Sequence, residues 1–417
     1  MRAMRLAISV SCALAALGST AHGQSSGAVG GALTLQQAVV VARTRGPWSE
    51  AAHAKRLVAQ GRARNDGAFP NPTFEWRREN MQSVLQPDIF GTLQLPLDIT
   101  GRRLAIRAAG TALTARGRAD SAVTARAIDA EVMRAFWRAA LGEELLQVAT
   151  EERAAREQIA QFDERRFREG AVAEVAAIRT KLEADRARMT EAAARTEAAR
   201  ARGDLARLLG MHVDSLPALA RLTSQAAAPQ VPDEATAMTR AFAQRPDLAA
   251  YRHAADEAAH RATAERRGIV SDLQVVTGYK QTSGYNTSVL GVIVPLPLFS
   301  RNEGLRERTH GESLIATAEL RDAELRVRGE VAAALQGMAA MREALAAGAS
   351  GVDARAAEVA QIAEGAYREG AISLMELIEA QRARAESRAA ALRWTVDVNL
   401  AQLELNRALG APLLEIP

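Results

Sequence analysis

The segments FREGAV, residues 167–172, and YREGAI, residues 367–372, are two versions of one sequence that lie 200 residues apart. Three further pairs of prolines or glycines keep this spacing to within two residues: Pro47 and Pro246, Pro96 and Pro297, and Gly210 and Gly410. Self-similarity at a fixed spacing indicates a duplicated architecture. The chain is therefore predicted to consist of two repeats, each made of a helix, a strand hairpin, a long helix, a turn and a return helix.

The distribution of proline predicts that most of each repeat is helical. None of the 13 prolines lies between residues 97 and 216 or between residues 298 and 411. Because proline in a helix interior costs about 3 kcal/mol, two such tracts favour very long helices. Apolar residues recur in them at helical spacing, for example at Val175, Ile178 and Leu182. The apolar stripes are narrow and rich in alanine, which is typical of helices packed side by side in a coiled coil.

A different pattern precedes each long helix. Residues 71–98 and 271–298 each read as two short strands around a polar loop, with apolar and polar residues in alternation. Each strand has about ten residues, the length of a tilted strand that crosses a membrane. Both hairpins end at a leucine–proline–leucine element, around Pro96 and Pro297. We therefore predict a mainly α-helical fold with a small membrane β part of four strands per chain.

The order of these elements sets the predicted boundaries. Residues 1–23 have the pattern of a signal peptide, with Arg2 and Arg5 before an apolar segment too short to span a bilayer. The other boundaries follow from the repeat: first repeat 24–210 with its hairpin at 71–98 and its turn at 167–172, linker 211–232, second repeat 233–410 with its hairpin at 271–298 and its turn at 367–372, and tail 411–417. Because about 65 residues of helix rise by about 1.5 Å each, both turns are predicted to lie about 100 Å from the strands.

Composition and motifs argue against several classes of protein. The 53 basic and 49 acidic residues are spread along the helices, so no basic block favours nucleic-acid binding. The sole cysteine, Cys12, lies in the signal segment, so the mature chain is predicted to have no disulfide. His253 and His260 fit a solvated helix face better than a metal site. No phosphate loop, zinc-protease motif or nucleophile elbow occurs, so we predict no enzyme, no catalytic residue, no cofactor and no metal site.

In this arrangement the sequence resembles the TolC family of outer-membrane efflux channels over residues 33–409. The resemblance is carried by the strand hairpins, the two REGA turns and six local segments: LTLQQAVVVARTRGP, FPNPTFEWRREN, LPLDITGRR, RPDLAAYRHAADEA, VPLPLFSRNEG and YREGAISLMELIEAQR. Each segment alone is a weak indication, whereas their order and spacing are specific. Within the family, the sequence is most similar to the CzcC-type channels of heavy-metal efflux.

The resemblance implies a homotrimer in the outer membrane of a Gram-negative bacterium, extending into the periplasm. Each chain would give four strands to one twelve-stranded β-barrel in the outer-membrane lipid and its helices to one α-helical tunnel. Four strands cannot close a barrel alone, and open edges in lipid would leave backbone groups unpaired. The implied function is a passive conduit that docks on a periplasmic adaptor protein, with energy supplied by an inner-membrane RND transporter.

The resemblance also implies that the REGA tips contact the adaptor. The implied patches are Arg168, Glu169, Gly170 and Ala171 in the first repeat, and Arg368, Glu369, Gly370 and Ala371 in the second. Two patches per chain would give a trimer six docking grooves, which suits a six-membered adaptor ring. A glycine between two helices also permits a left-handed turn, so a purely structural role for Gly170 and Gly370 is the alternative.

A second set of residues is implied at the pore. Glu376 and Glu379 share one helix face, and the resemblance places them toward the pore near its closed periplasmic end. Three chains would form two rings of carboxylates, which attract cations and hold raised pKa values when crowded. An ordinary solvated helix face is the alternative. Tyr367 matches a family tyrosine of the closed-gate network, whereas Ile372 replaces the arginine expected two residues after the tip glycine.

The sequence leaves three functions open. The first is an outer-membrane channel that exports heavy-metal cations. The second keeps the channel but changes the cargo to drugs or to a secreted polypeptide, as in multidrug efflux or type I secretion, because the inner-membrane partner selects the cargo. The third is a periplasmic coiled-coil scaffold without a pore, which accounts for the helices but not for two strand hairpins at matched positions.

Overall fold

The structure is a computed structural model that describes residues 31–79, 87–222, 231–268, 273–282, 284–296, 298–299, 301–346 and 351–414. The predicted signal segment and Pro297 lie outside the described residues. Parts of the predicted linker and tail lie outside them as well.

The helices and strands follow the order of two repeats. The first repeat contains α1 (Leu35–Arg45), α2 (Pro47–Gly67), β1 (Thr73–Glu79), β2 (Asp88–Leu97), α3 (Arg102–Arg168) and α4 (Glu174–Leu209). The second contains α5 (Glu234–Gln244), α6 (Pro246–Arg267), β3 (Leu273–Thr282), β4 (Tyr285–Ile293), α7 (Glu303–Ala346), α8 (Val352–Arg368) and α9 (Leu374–Ala408). The predicted mainly α-helical fold with four strands is confirmed. None of the described helices combines the length and the apolar character needed to cross a bilayer.

The longest helix, α3, packs against helices of both repeats: α1, α2, α4, α6 and α9. Its 67 residues extend over about 100 Å. It contacts α2 and α6 over the part that follows the sheet, and α4 and α9 farther along. Small residues allow close approach: Gly117 of α3 lies over Ala59 of α2, and Gly142 lies over Ala198 of α4. The narrow, alanine-rich stripes of the sequence thus become closely spaced helix pairs.

The first helix of each repeat is two helices, where the sequence predicted one. The breaks fall at Gly46 and Arg245, and a proline begins the next helix in both cases. Proline suits the first turn of a helix, where its missing N–H needs no partner, but not the interior. The end of each return helix lies against the break of its own repeat. A Cβ on Gly210 would lie 3.1 Å from the backbone oxygen of Arg45, and one on Gly410 would lie 2.9 Å from the backbone nitrogen of Arg245.

The strands form one antiparallel sheet in the order β1-β2-β3-β4. Two rows of residues across the sheet represent its two faces: Phe74, Leu93, Thr277 and Leu290 on one, and Arg77, Phe90, Lys280 and Thr287 on the other. Because successive side chains alternate between faces, one face is mainly apolar and the other carries charges. The guanidinium of Arg77 and the ammonium of Lys280 lie 5.2 and 4.9 Å from the centre of the Phe90 ring.

The apolar core lies midway along the helices. One cluster joins α1, the middle of α3 and the end of α4, where Phe136 and Trp137 are its largest side chains. A second cluster joins α5, α7 and the end of α9 around Val331 and Met338. The sheet and the REGA turns therefore lie away from the core, at opposite ends of long helices.

Candidate gate at the helical tips

Both REGA turns adopt the same backbone conformation. Gly170 and Gly370 each have a φ of 75°. In the first turn, Gly170 N–H donates to the oxygen of Phe167 at 2.9 Å and Ala171 N–H donates to that of Arg166 at 2.7 Å. The second turn repeats this pair of hydrogen bonds. The pattern is a Schellman motif, in which glycine adopts the left-handed conformation and satisfies the last carbonyls of the helix.

The side chains of the two REGA segments point into open surroundings. Arg168 pairs with Glu164, and Arg368 pairs with Glu364, both at 2.5 Å within their own helix. Both arginines are about 70 % exposed, with side-chain values of 71 % and 69 %. No neighbouring heavy atom lies within 4 Å of a Cβ built on either tip glycine. The tips are thus accessible, and their role as adaptor contacts stays a prediction.

A buried hydrogen bond joins the two repeats just above the tips. The hydroxyl of Tyr367 at the end of α8 donates to Asp163 Oδ1 of α3 at 2.8 Å. Tyr367 is 8 % exposed and Asp163 is 0 % exposed. The counterpart of Tyr367 in the first repeat, Phe167, is 41 % exposed. The sequence singled out Tyr367 but missed Asp163, whose counterpart at position 363 is an alanine.

The surroundings of this hydrogen bond favour the neutral tyrosine. Burial and the nearby Asp163 carboxylate raise the pKa of Tyr367 to about 12, because a tyrosinate would be shielded from water and would lie beside a negative charge. The ring of Phe162 meets the Tyr367 ring edge-on, with the centroids 6.4 Å apart. The other carboxylate oxygen, Asp163 Oδ2, is buried without a hydrogen-bond partner among the described residues. Loss of the Tyr367 hydroxyl would therefore deprive the buried Asp163 carboxylate of this hydrogen-bond donor.

Glu376 has a local role that the sequence analysis missed. Its carboxylate accepts hydrogen bonds from the backbone N–H of Ser373 at 2.7 Å and from the Ser373 hydroxyl at 2.8 Å. The Ser373 side chain in turn caps the first turn of α9, which completes a capping box. These hydrogen bonds lower the pKa of Glu376. The spacing Ser-x-x-Glu could have revealed this role, and Glu379 lies one turn on, also exposed.

An open groove separates the starts of the two return helices. It has a volume of about 650 Å³ and is lined by residues of α4 and α9, among them Val175, Leu182, Met375 and Ile378. Val175 and Met375 are more than half exposed, at 59 % and 52 %. The groove lies directly behind both REGA turns, so the exposed tips and this apolar surface form one continuous region.

The remaining sequence candidates do not form a site. His253 and His260 lie on α6, and no group of three or more histidine, cysteine or acidic residues suited to a metal ion occurs among the described residues. Nearby Glu257 pairs with Arg261 at 3.1 Å and with Arg116 at 3.6 Å. Glu257 thus binds two arginines.

The sequence matches the family described as outer membrane efflux protein over residues 85–211 and 237–411. The two matched segments fall in the two repeats and cover most of the chain. Among curated proteins, none matches the sequence.

Solved structures show the same fold. CusC has a TM-score of 0.76 at 18 % identity, over 91 % of this chain and 92 % of that one. The Campylobacter jejuni CmeC outer membrane channel has a TM-score of 0.78 at 14 % identity, over 90 % of this chain and 85 % of that one. The open state of the Neisseria gonorrhoeae MtrE outer membrane channel has a TM-score of 0.74 at 20 % identity, over 91 % of this chain and 89 % of that one.

Proposed function

The chain belongs to the outer membrane efflux protein family, and we propose that, as the outer-membrane channel of a tripartite pump, it exports heavy-metal cations. The resemblance to the TolC family is confirmed by this membership. The finer resemblance to CzcC-type channels stays a prediction and is one support for a metal cargo.

One observation carries the channel function: a four-stranded sheet with one apolar and one charged face stands at the end of a helical bundle whose longest helix, α3, extends over about 100 Å. Within the chain, β1 and β4 are the edges of this sheet. Open edges in lipid would leave backbone groups unpaired, so further copies of the chain must cover them. A trimer provides this closure, with the apolar face toward lipid and the charged face toward water. The matched hairpins argue against a scaffold without a pore.

The helical tips are the proposed region of contact with the periplasmic adaptor. The exposed REGA segments and the groove behind them offer a charged rim beside an apolar surface, as interfaces between proteins commonly do. We assign Arg168, Glu169, Gly170 and Ala171 to one contact patch and Arg368, Glu369, Gly370 and Ala371 to the other. The two patches share one backbone conformation, so a single type of adaptor helix hairpin could dock on both.

Tyr367, Glu376 and Glu379 are the proposed gate residues. The Tyr367–Asp163 hydrogen bond holds the end of α8 against α3 and thereby sets the position of the second hairpin. Glu376 and Glu379 begin α9 one turn apart, so three chains around one axis would place six carboxylates near the tips. Rings of carboxylates favour cations over anions, which supports a cation cargo.

Single-channel recordings of the purified trimer in a planar bilayer test the pore and the acidic rings together. We expect a small, cation-selective conductance in the wild type and a loss of selectivity in the double variant Glu376→Gln/Glu379→Gln. A single variant, Ser373→Ala, is the control, because it removes the helix cap and keeps both carboxylates. Unchanged ion selectivity in the double variant would contradict the proposal that Glu376 and Glu379 line the pore. Folded trimers that never conduct, even after the tips are loosened by Tyr367→Phe, would contradict the channel.

The cargo is tested in cells. Deletion of the gene should lower tolerance to cobalt, zinc or cadmium salts and leave drug tolerance unchanged, and the full-length gene should restore it. Lower tolerance to drugs alone would favour the second function, multidrug efflux. Loss of a secreted polypeptide with unchanged metal tolerance would favour type I secretion.

A further inference from the structure

The helix ends that adjoin the sheet hold an excess of positive charge. We define the junction belt as residues 62–68, 98–108, 265–268 and 301–308, where α2, α3, α6 and α7 meet the strands. These segments contain ten arginines and five carboxylates, a net of five positive charges, whereas the whole chain has a net charge of +4. The remainder of the chain is therefore close to neutral, so the net positive charge of the protein is concentrated beside the sheet.

Several arginines of the junction belt have no internal counter-charge. Arg107, Arg266 and Arg301 are exposed, and in the part of the chain that the structure describes none of them pairs with a carboxylate. Some arginines farther from the sheet are paired, as Arg188 and Arg195 of α4 are, each 2.8 Å from a carboxylate oxygen, whereas others, such as Arg240, are exposed like the belt arginines. An arginine without an internal partner keeps its charge available for an external anion.

Large apolar side chains are exposed at the same level. Ile99, between β2 and α3, and Leu104, in the first turn of α3, are 70 % and 69 % exposed, and Phe299, which follows β4, is 102 % exposed. Exposed side chains of this size indicate a surface that meets an apolar partner. Arginine can share such a surface, because its stem packs on apolar groups while its guanidinium reaches a polar layer. Apolar and basic residues in one band are typical of the boundary between acyl chains and headgroups.

We infer that the junction belt binds the headgroups of anionic phospholipids in the periplasmic leaflet of the outer membrane. The belt lies where the sheet gives way to helices that extend into the periplasm, which is the level of the phosphates of that leaflet. Guanidinium groups donate paired hydrogen bonds to phosphate oxygens, and basic residues near an anionic lipid surface are attracted to it. The inference rests on the placement of the channel in the outer membrane and is independent of its cargo.

Electron spin resonance of spin-labelled lipids tests this inference on the full-length trimer in phosphatidylcholine membranes. The spectrum separates lipid immobilised at the protein from free lipid, and so gives the preference of the protein boundary for phosphatidylglycerol over phosphatidylcholine. We expect the wild type to prefer phosphatidylglycerol and the preference to weaken as salt is raised. Each belt arginine should raise the preference for phosphatidylglycerol over phosphatidylcholine by up to about fivefold for the lipid that it contacts.

A triple variant and a matched control locate the effect. Arg107→Gln/Arg266→Gln/Arg301→Gln should bring the ratio of the affinities for phosphatidylglycerol and phosphatidylcholine close to one. Arg240→Gln/Arg342→Gln/Arg393→Gln, which removes three exposed arginines away from the sheet, should keep the wild-type preference. Equal preferences in the two triple variants would overturn the inference. Immobilised lipid without any preference in the wild type would also overturn it, whereas folded trimers that immobilise no lipid would contradict the membrane placement itself.

Discussion

The two helical hairpins end in nearly the same six residues but are fastened in different ways. Ion pairs cross the first hairpin between α3 and α4, where Arg153 lies 2.7 Å from Glu191 and Arg188 lies 2.8 Å from Glu157. In the second hairpin, no ion pair joins α8 to α9 within residues 352–368 and 374–408, all of which the structure describes. The duplication thus preserved the backbone of the tips while the side chains between the helices diverged.

The second hairpin is held to α3 by contacts of its own. Tyr367 of α8 donates to Asp163, and Arg388 of α9 pairs with Glu151 at 2.8 Å. The second hairpin has no ion pair between its own helices and is attached to α3 through a few separate side-chain contacts. Such a hairpin can move relative to α3 when those contacts break. We therefore expect the first hairpin to be the fixed part of the tip and the second to be the part that moves.

The largest effect is expected from Tyr367→Phe, which gives the second tip the aromatic residue of the first. It removes the hydroxyl and leaves the Asp163 carboxylate buried without that donor, at a cost of about 1–3 kcal/mol. Hydrogen exchange followed by mass spectrometry should show faster exchange in α8 and the start of α9. The reciprocal variant Phe167→Tyr changes an exposed ring and should leave exchange unchanged. Equal protection of α8 from exchange in the wild type and in Tyr367→Phe would contradict the proposal that the Tyr367–Asp163 hydrogen bond holds α8 against α3.

A pH titration tests the same contact without a change of sequence. Because the pKa of Tyr367 is raised from 10.0 to about 12, the neutral side chain stabilises the fold fully below pH 10.0. This stabilisation is lost as the pH rises through about 12, since the unfolded chain loses its proton first. The ultraviolet absorbance of tyrosinate should reveal one tyrosine that titrates late and is missing from Tyr367→Phe. A late tyrosine that persists in that variant would show that another residue is responsible.

The first hairpin should lose less from a single change, because its fastening is shared among several pairs. Glu191 is 8 % exposed and binds Arg153 and Arg195. Glu191→Ala should lower the free energy of unfolding by about 1–2 kcal/mol, since Arg153 is partly exposed and water replaces part of the interaction. Thermal unfolding of the trimer measures the loss. Glu197→Ala, which removes an exposed carboxylate of the same helix, should have almost no effect. Equal losses of stability in the two variants would contradict a role of Glu191 in holding α3 and α4 together.

The smallest effect concerns the starts of the two return helices. Ser373 caps α9 with its side chain, whereas Ala173, at the same place before α4, forms no side-chain cap. Ser373→Ala should cost about 1 kcal/mol, and Ala173→Ser should stabilise the first hairpin by up to the same amount. Chemical denaturation of the two variants and the wild type measures both changes. Identical midpoints for all three would show that the caps do not distinguish the hairpins.

The cap also gives a dependence on acid pH. The Ser373 backbone N–H and hydroxyl lower the pKa of Glu376 below its usual value of 4.5. Its contribution is therefore present above that value and is lost as the pH falls through the lowered pKa. The difference between the wild type and Glu376→Gln should disappear in acid. A difference that persists at low pH would point to packing rather than to charge.

The sequence predicted those parts of the fold that depend on local periodicity. Proline-free tracts and alternating strands gave the helices, the hairpins and the order of the repeats. The breaks at Gly46 and Arg245 were missed because each following proline was treated as a marker of the repeat and not as the start of a new helix. Asp163 was missed because its partner lies 204 residues away, and no pattern within α3 distinguishes a buried carboxylate from the exposed ones around it.

Single-channel recording of three trimers tests most directly whether the Tyr367–Asp163 hydrogen bond holds the channel closed at its tips. The wild type, Tyr367→Phe and Phe167→Tyr would be purified as intact trimers and recorded in the same planar bilayers. We predict a larger conductance or a longer open time for Tyr367→Phe, and wild-type behaviour for Phe167→Tyr, although each variant differs from the wild type by one hydroxyl group per chain. Identical recordings from all three trimers would contradict the assignment of the second hairpin as the gate.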